Sequence, residues 1–469
     1  MPHANYSLTI RAVIPARQGM LGRVMAALGE AGGDVVGVDI VRSRKDAVTR
    51  DITVYATDDA HAEALQAAVR GVDGVGIEGV SDRVFMSHLG GKVGMQNRVP
   101  VATRDDLSMA YTPGVARVCM AIHHDLEQTW DYTIKGNSVM VVSDGSSVVG
   151  QGDLGPEASL PAVEAKCMFL REFAGIDAFP LPVTVRDPDE IADVIVLISS
   201  VFAGIHLTDI AAPRCFQVLR KLRERLGVPV FHDDQEGTAV ALPAALANAL
   251  RLAGKELSDS TVVVAGLGPG GMSTVRLLVA AGAGAVLACD SQGSVHPGRA
   301  DMDEELAWVA GHTNPEGRTG DVKALLEGAD AFIGMSVPNL LTADDVRRMA
   351  PDPAVFALAM PEPEISSAEA RAALVYATGR PDVPNQINSS LAFPGIWRGA
   401  LDCRATEINE AMVLAAAEAI AATAAAEGAL APDNVVPSVF NEHLVPNVAT
   451  AVRRAAEATG VARLGTAAA

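Results

Sequence analysis

The stretch TVVVAGLGPGGMSTVRLLVAAGAGAVLACD, residues 261–290, constrains the fold of this chain more than any other. A β-branched run leads into Gly266-Leu267-Gly268-Pro269-Gly270-Gly271, followed by helical spacing, a second apolar run and an acid, Asp290, 19 residues beyond Gly271. Glycines in that spacing between a strand and a helix form the dinucleotide-binding βαβ pattern. Gly266 allows a tight turn, Gly268 lets the backbone approach a pyrophosphate, and Gly271 lets the helix pack closely on the strand. The helix N-terminus then faces the phosphates. Asp290, ending the second strand, accepts hydrogen bonds from a ribose diol and repels a 2′-phosphate, which favours NAD over NADP. Arg299 lies near enough in sequence to reach such a phosphate, which keeps NADP open as the less favoured cofactor. The plainer reading is an ordinary glycine turn in a βαβ unit.

The chain around this unit alternates strands and helices. Residues 5–83 follow a β-α-β-β-α-β order, YSLTIRAVIPA, MLGRVMAALGEAG, VVGVDIVRS, TRDITVYAT, DAHAEALQAAVRGV and VGIEGVSDRVF, which predicts a ferredoxin-like arrangement. SHLGGKVGMQNRVPVATRDD reads as a linker. From about Leu107 the runs SVMVVSDG, DAFPLPVTV, DVIVLISS and GVPVFHDD read as strands between helices, and the tail from FPGIWRGALD onward reads as Ala-rich packed helices. The expected fold class is α/β. A ferredoxin-like unit covers 1–83, an α/β catalytic domain 84–233, a doubly wound parallel-sheet (Rossmann-type) nucleotide domain 234–395, and C-terminal helices 396–469 pack back on the catalytic domain. The 469 residues suit this division, about three domains' worth of chain.

A formal net charge of −20 without a basic cluster argues against a nucleic-acid or anionic-membrane partner, while leaving room for a small anionic substrate in a pocket of its own local field. The start, MPHANYSLTIRAVIPARQGM, shows no signal-peptide pattern, and Val194–Ile205 is too short an apolar stretch to span a bilayer. Five scattered cysteines without C-x-x-C spacing fit reduced thiols in a cytoplasmic protein and no zinc site.

Two apolar runs end in carboxylates. Asp209 follows GIHLT, and Asp233-Asp234 follow VPVFH. Acids at the ends of neighbouring strands suit a hard cation, Mg²⁺ or Mn²⁺. Each acid also precedes a helical pattern and equally suits an N-cap. Spacing alone leaves both open.

Six motifs, AYTPGVARVC, GDLGP, EAKCMFLREFAGIDAFPLPV, DIAAPRCF, PVFHDDQEGTAV and NQINSSLAFPGIWRGALD, resemble the malic enzyme family in order over residues 85–469. Residues 5–83, with IPARQGMLGRV at the ligand-loop position, resemble an ACT domain, an arrangement found in bacterial malic enzymes. The resemblance implies oxidation of malate, or a related 2-hydroxy acid, by NAD(P) and metal-assisted decarboxylation of the resulting β-keto acid. It implies Lys166 as the base taking the C2 hydroxyl proton, which requires a pKa lowered from ~10 toward neutrality. Tyr111 becomes the acid that protonates the enolate carbon, Asp209, Asp234 and Asp233 the metal site, and Asn388 a cofactor contact. It further implies a homo-oligomer, a dimer, with a small effector at the ACT unit.

Three positions depart from the family pattern. Thr208 stands where the family places a glutamate before Asp209, Met360 replaces an asparagine in AMPEPEI, and Ser389 replaces the second of two asparagines. A hydroxyl is a poor ligand for a hard dication, and methionine neither donates nor accepts a hydrogen bond to a substrate carboxylate. Beside the malate reading therefore stand a paralogue retuned for another substrate, a weakly catalytic ACT-gated binding protein, and a pocket in which waters, Glu362 or Asp233 compensate.

Overall fold

The computed structural model describes residues 3–300, 302–426, 428 and 430–464. The chain forms two compact units, Met1–Met95 and Gln96–Ala469. In the first, β1 (His3–Pro15), β2 (Asp34–Ser43), β3 (Ala47–Ala56) and β4 (Gly76–Asp82) form an antiparallel sheet in the order β2-β3-β1-β4. This is the expected ferredoxin-like topology. Alternation along β1 and β3 sends Leu8, Ile10, Ala12, Ile52 and Val54 to one face, where they meet Val24, Leu28, Leu65 and Val69 of the helices Met20–Glu30 and Asp59–Arg70. The unit continues past residue 83 through a short helix, Arg83–His88, capped by Asp82.

The second unit contains two sheets. β5 (Ser138–Val142), β6 (Asp177–Pro180), β7 (Gly204–Leu207) and β8 (Val230–His232) pair in parallel in the order β6-β5-β7-β8. All five residues of β5 and all four of β7 are buried, as expected of a parallel sheet covered on both faces. β9 (Thr261–Ala265), β10 (Ala285–Asp290), β11 (Gly293–Ser294), β12 (Ala331–Gly334), β13 (Ala354–Ala357) and β14 (Val375–Thr378) form the other sheet in the order β11-β10-β9-β12-β13-β14. It is parallel except for β11 against β10. The chain runs outward from β9 in both directions, so the point where strand order reverses lies between β9 and β12.

One element differs from expectation. DVIVLISS is not a strand: Pro188–Ile198 is a helix, with Pro188 in its first turn and Asp187 accepting hydrogen bonds from the Asp189 and Glu190 amides. A short apolar run has no periodicity that separates strand from helix, and the cap decides. β7 begins only at Gly204, and it is β7 that delivers Asp209.

The domain limits expected at 233/234 and 395/396 fall inside continuous elements. Asp233–Gly237 is one wide π-helical turn, and Phe393–Asp402 is one helix. That second helix packs on the catalytic sheet. Trp397 is fully buried with its Nε1–H donating to His206 Nδ1 at 3.0 Å, and a Cβ on Gly204 would sit 2.1 Å from the Trp397 ring. The Ala-rich helix Glu410–Ala426 buries Ala416, Ala417, Ala421 and Ala424, and Asn248 of the buried helix Thr238–Leu252 donates to its Ala421 carbonyl at 3.0 Å. Small side chains here serve close helix approach.

Candidate active site

β7 and β8 are paired neighbours, with Leu207 opposite His232, so the residues that follow them emerge side by side at the carboxyl edge of the sheet. Asp209 adopts φ +56°, a left-handed conformation that aspartate tolerates better than most residues. Its amide donates to Asp234 Oδ2 at 2.7 Å. The loop after β5 holds Asp209 in place: the Ser147 amide donates to the Asp209 carbonyl at 3.1 Å, and the Ala211 amide to Ser146 Oγ at 2.9 Å. That loop is anchored by the buried Asp144, which pairs with Arg214. Neither Asp209 nor Asp234 acts as a simple helix cap here.

Lys166 projects from the helix Pro156–Ala174, beside the buried stripe Val163, Cys167, Leu170 and Ala174. Its Nζ donates to Asp233 Oδ2 at 2.5 Å and to Ser389 Oγ at 3.2 Å, and lies 5.4 Å from the centre of the Phe393 ring. Ser389 Oγ in turn donates to Asp233 Oδ2 at 2.9 Å. Gly237 makes this approach feasible, because a Cβ there would lie 2.6 Å from both Asp233 Oδ1 and Ser389 Cβ. Asp233 is thus engaged by Lys166 and Ser389, whereas Asp234 is engaged by the Asp209 amide.

The charges correct one expectation. Burial pulls the Lys166 ammonium down, but Asp233, then Asp234 and Asp209, outweigh it and hold the group above its ordinary value. The three carboxylates therefore oppose the lowering toward neutrality that a base role requires. Asp209 and Asp234 are both pushed up, first by withdrawal from water and then by negative neighbours, among them each other for Asp234. Two carboxylates that resist ionising together favour a cation between them. Thr208 adds a buried hydroxyl with no hydrogen-bond partner among the described residues. No group of three or more His, Cys, Asp or Glu side chains that could hold a metal gathers among the described residues.

The glycine turn sits at the reversal of strand order. Gly266 has φ +96°, and a Cβ there would lie 2.3 Å from the Met335 carbonyl oxygen, just past β12. A Cβ on Gly271 would fall 1.9 Å from the Gly266 carbonyl, so the helix Pro269–Ala280 reaches the turn only with glycine. A cleft of about 800 Å³ opens here, lined by Gly266, Gly268, Asp290, Leu306, Val322 and Ser336. Ala212 and Pro213, shortly after Asp209, line the same cleft, and a Cβ on Gly270 would lie 3.2 Å from the Asp234 carbonyl. The glycine turn and the acidic cluster are therefore adjacent. Asn388 caps the short turn Ser389–Leu391 by accepting from the Ser390 amide at 2.9 Å.

Two residues stand apart from this cluster. Tyr111 ends the helix Arg104–Ala110 and is 66 % exposed, so the structure does not bring it to Lys166. That helix and the next, Gly114–His124, contain no fully buried residue. Met360 is 53 % exposed. One acid that sequence reading passed over is central: Glu364 is fully buried and accepts from the Ser336 amide at 2.7 Å and the Ala359 amide at 3.0 Å, tying together the loops after β12 and β13. A Cβ on Gly334 would meet its carboxylate at 2.5 Å. The second acid of PEPEI was the available signal.

Together, the reversal-point cleft and the lysine–aspartate cluster at its end define an α/β dinucleotide-binding enzyme scaffold. Residues 91–188 match the family described as malic enzyme, N-terminal domain, and residues 235–457 match malic enzyme, NAD binding domain. The chain belongs to the malic enzyme family. It is 49% identical to an NAD-dependent malic enzyme of Geobacillus stearothermophilus over 94% of this chain and 92% of that protein. It is 47% identical to a bifunctional malic/malolactic enzyme of Bacillus subtilis over 80% of this chain and 92% of that one. The solved NAD-dependent malic enzyme of Thermotoga maritima matches with a TM-score of 0.76 and 41% identity, covering 80% of this chain and 99% of that one.

Proposed function

We propose that this chain is an NAD-dependent malic enzyme, oxidising malate and decarboxylating the product to pyruvate and CO₂ with Mg²⁺ or Mn²⁺ as Lewis acid. The observation that carries the reading is the meeting of Lys166, Asp233 and Ser389 beside Asp209 and Asp234, next to the glycine turn of a nucleotide cleft. Gly266, Gly268 and Gly271 shape the pyrophosphate site, Asp290 reads the adenosine ribose, and Asn388 shapes the cofactor side by capping the turn that carries Ser389. Asp209 and Asp234 would hold a divalent cation, which when bound would supply the charge stabilisation that an enolate needs. Asp233 orients Lys166 rather than serving as a third ligand.

Lys166 must shed a proton before it takes one from the C2 hydroxyl, and Asp233 Oδ2, already bonded to Nζ, is the nearest acceptor. Hydride departure from C2 then leaves a β-keto acid whose carboxylate is lost. Tyr111, as the acid for the enolate carbon, has to leave the solvent. The apolar exposure of Leu107, Met109, Tyr111 and Met120 supports association of copies through these helices, so we read the protein as a homo-oligomer, a dimer. Light scattering at micromolar concentration should give twice the chain mass, and a monomer would reject this. Residues 1–83 we read as an ACT-type regulatory unit: the ferredoxin-like topology and the loop before the helix Met20–Glu30, with Gly19 at φ +82°, support a small-effector site.

No helix is long and apolar enough to cross a membrane among the described residues, and the five cysteines are free, which supports the cytoplasmic reading. The test is direct: absorbance of the reduced nicotinamide should rise with malate, NAD and Mn²⁺ together and stay flat when any one is left out. Absence of a rise with malate, alongside a rise with another 2-hydroxy acid, would favour the retuned-pocket reading that Met360 motivates.

A further inference from the structure

The strands that deliver the acids also carry two fully buried imidazoles, His206 on β7 and His232 on β8. The Trp397 indole N–H, which can only donate, meets His206 Nδ1 at 3.0 Å. An imidazole whose Nδ1 accepts a hydrogen bond is neutral and carries its own proton on Nε2. The rings of Phe231, Phe393 and Trp397 lie 5.8, 5.2 and 6.3 Å from it and offer that proton no carboxylate or carbonyl. His206 Nε2 is buried with no hydrogen-bond partner among the described residues. The same is true of Asp233 Oδ1, and the two atoms lie 3.9 Å apart. That gap exceeds an N–H···O bond by about 1 Å. Gly237 crowds the Oδ1 side, since a Cβ there would lie 2.6 Å from that oxygen. Asp233 Oδ2, by contrast, is already taken up by Lys166 Nζ and Ser389 Oγ. His232 lies 3.9 Å from Asp234 Oδ2, but neither of its nitrogens has a partner among the described residues to fix its tautomer.

We infer that His206 is a positioning residue: its Nε2–H closes on Asp233 Oδ1 and so keeps Oδ2 aimed at Lys166. Two buried polar atoms left unpaired are costly, which favours the small approach that joins them. Trp397 acts one contact further out, by setting which imidazole nitrogen holds the proton. A carboxylate gripped at both oxygens cannot swing away from Lys166, and Nζ stays where a substrate hydroxyl can meet it. The helix Phe393–Asp402 therefore does more than cover the catalytic sheet, because its Trp397 bears on the aim of the lysine. The inference rests on the functional reading above and assigns roles to two residues which that reading does not use.

The test compares two amides at one position in the full chain. In His206→Gln the amide nitrogen takes the place of Nε2 and still donates toward Asp233. In His206→Asn the amide oxygen takes the place of Nδ1, accepts from Trp397 and leaves Asp233 Oδ1 without a donor. With malate, NAD and Mn²⁺, kcat of the asparagine variant should fall about tenfold or more, while the malate KM and the NADH dissociation constant stay within about twofold of wild type. The glutamine variant should retain most of the wild-type kcat. A role in filling the core alone predicts equal kcat per folded molecule in both variants. Equal values, or an asparagine variant as fast as wild type, overturn the inference. Nitrogen-15 spectra of histidine-labelled wild-type protein give a second readout that needs no variant to fold. The imidazole in contact with the Trp397 indole proton should be the neutral Nε2–H tautomer, and an imidazolium or a proton on Nδ1 overturns the inference. Absence of NADH from the wild-type protein with malate defeats the functional reading instead, and the imidazole spectrum then tests the His206 geometry by itself.

Discussion

Replacing Lys166 with alanine should lower malate oxidation by about 10³-fold, within the range of a lost general acid–base residue, while NADH affinity changes less than about twofold. The Lys166 side chain touches Asp233, Ser389 and Phe393 and none of the residues lining the glycine turn, so nucleotide binding has no reason to follow it. Lys166→Ala also strands Asp233, which is 3 % exposed, and breaking a buried pair commonly costs about 3–5 kcal/mol. Lys166→Gln separates the two effects, because its amide still donates toward Asp233 but cannot cycle a proton. Both variants should be equally slow, with the glutamine form the more heat-stable. Turnover within tenfold of wild type in either variant would make Lys166 a structural partner of Asp233 only.

Thr208→Glu should have the second large effect. Thr208 is fully buried, its hydroxyl lacks a partner among the described residues, and it directly precedes Asp209. A carboxylate there gives the Asp209–Asp234 pair a third acid. Mn²⁺ should bind more tightly by about 1–3 kcal/mol, roughly five- to 150-fold, the scale of one charge-assisted contact. Turnover at limiting Mn²⁺ should rise accordingly, with little change at saturation. Without metal the same substitution should destabilise the fold, since it adds a third buried negative charge to two that already resist ionisation. Calorimetric titration with Mn²⁺ checks the first outcome and thermal melting with chelator the second. Unaltered metal affinity would place the cation away from Asp209.

The nucleotide half was legible because its signals are local. Gly266 and Gly271 are demanded by backbone clashes within one turn, and β9 and β10 are continuous apolar runs. The acids were legible as strand ends, and pairing of β7 with β8 brings them together as their positions suggest. What stayed hidden is long-range. The helix Pro188–Ile198 shares its composition with a strand, and only its cap distinguishes it. The charge on Lys166 depends on three carboxylates from two other strand ends, so its direction cannot be read from the EAKCMF motif. Ser389, 156 positions from Asp233, supplies a hydroxyl that bridges the Lys166–Asp233 pair. Reading it only as a lost substrate contact missed that role. Tyr111 carries its motif intact yet is 66 % exposed, an exposure that the motif itself does not signal.

The most direct measurement follows both products of malate at once. With malate labelled at C4, NAD and Mn²⁺, each molecule of NADH formed should be matched by one molecule of labelled CO₂, and neither should appear when malate is withheld. NADH without CO₂ would mean an oxidation uncoupled from decarboxylation, CO₂ without NADH a decarboxylation that bypasses hydride transfer, and either result would contradict the coupled chemistry assigned to Lys166, Asp209 and Asp234.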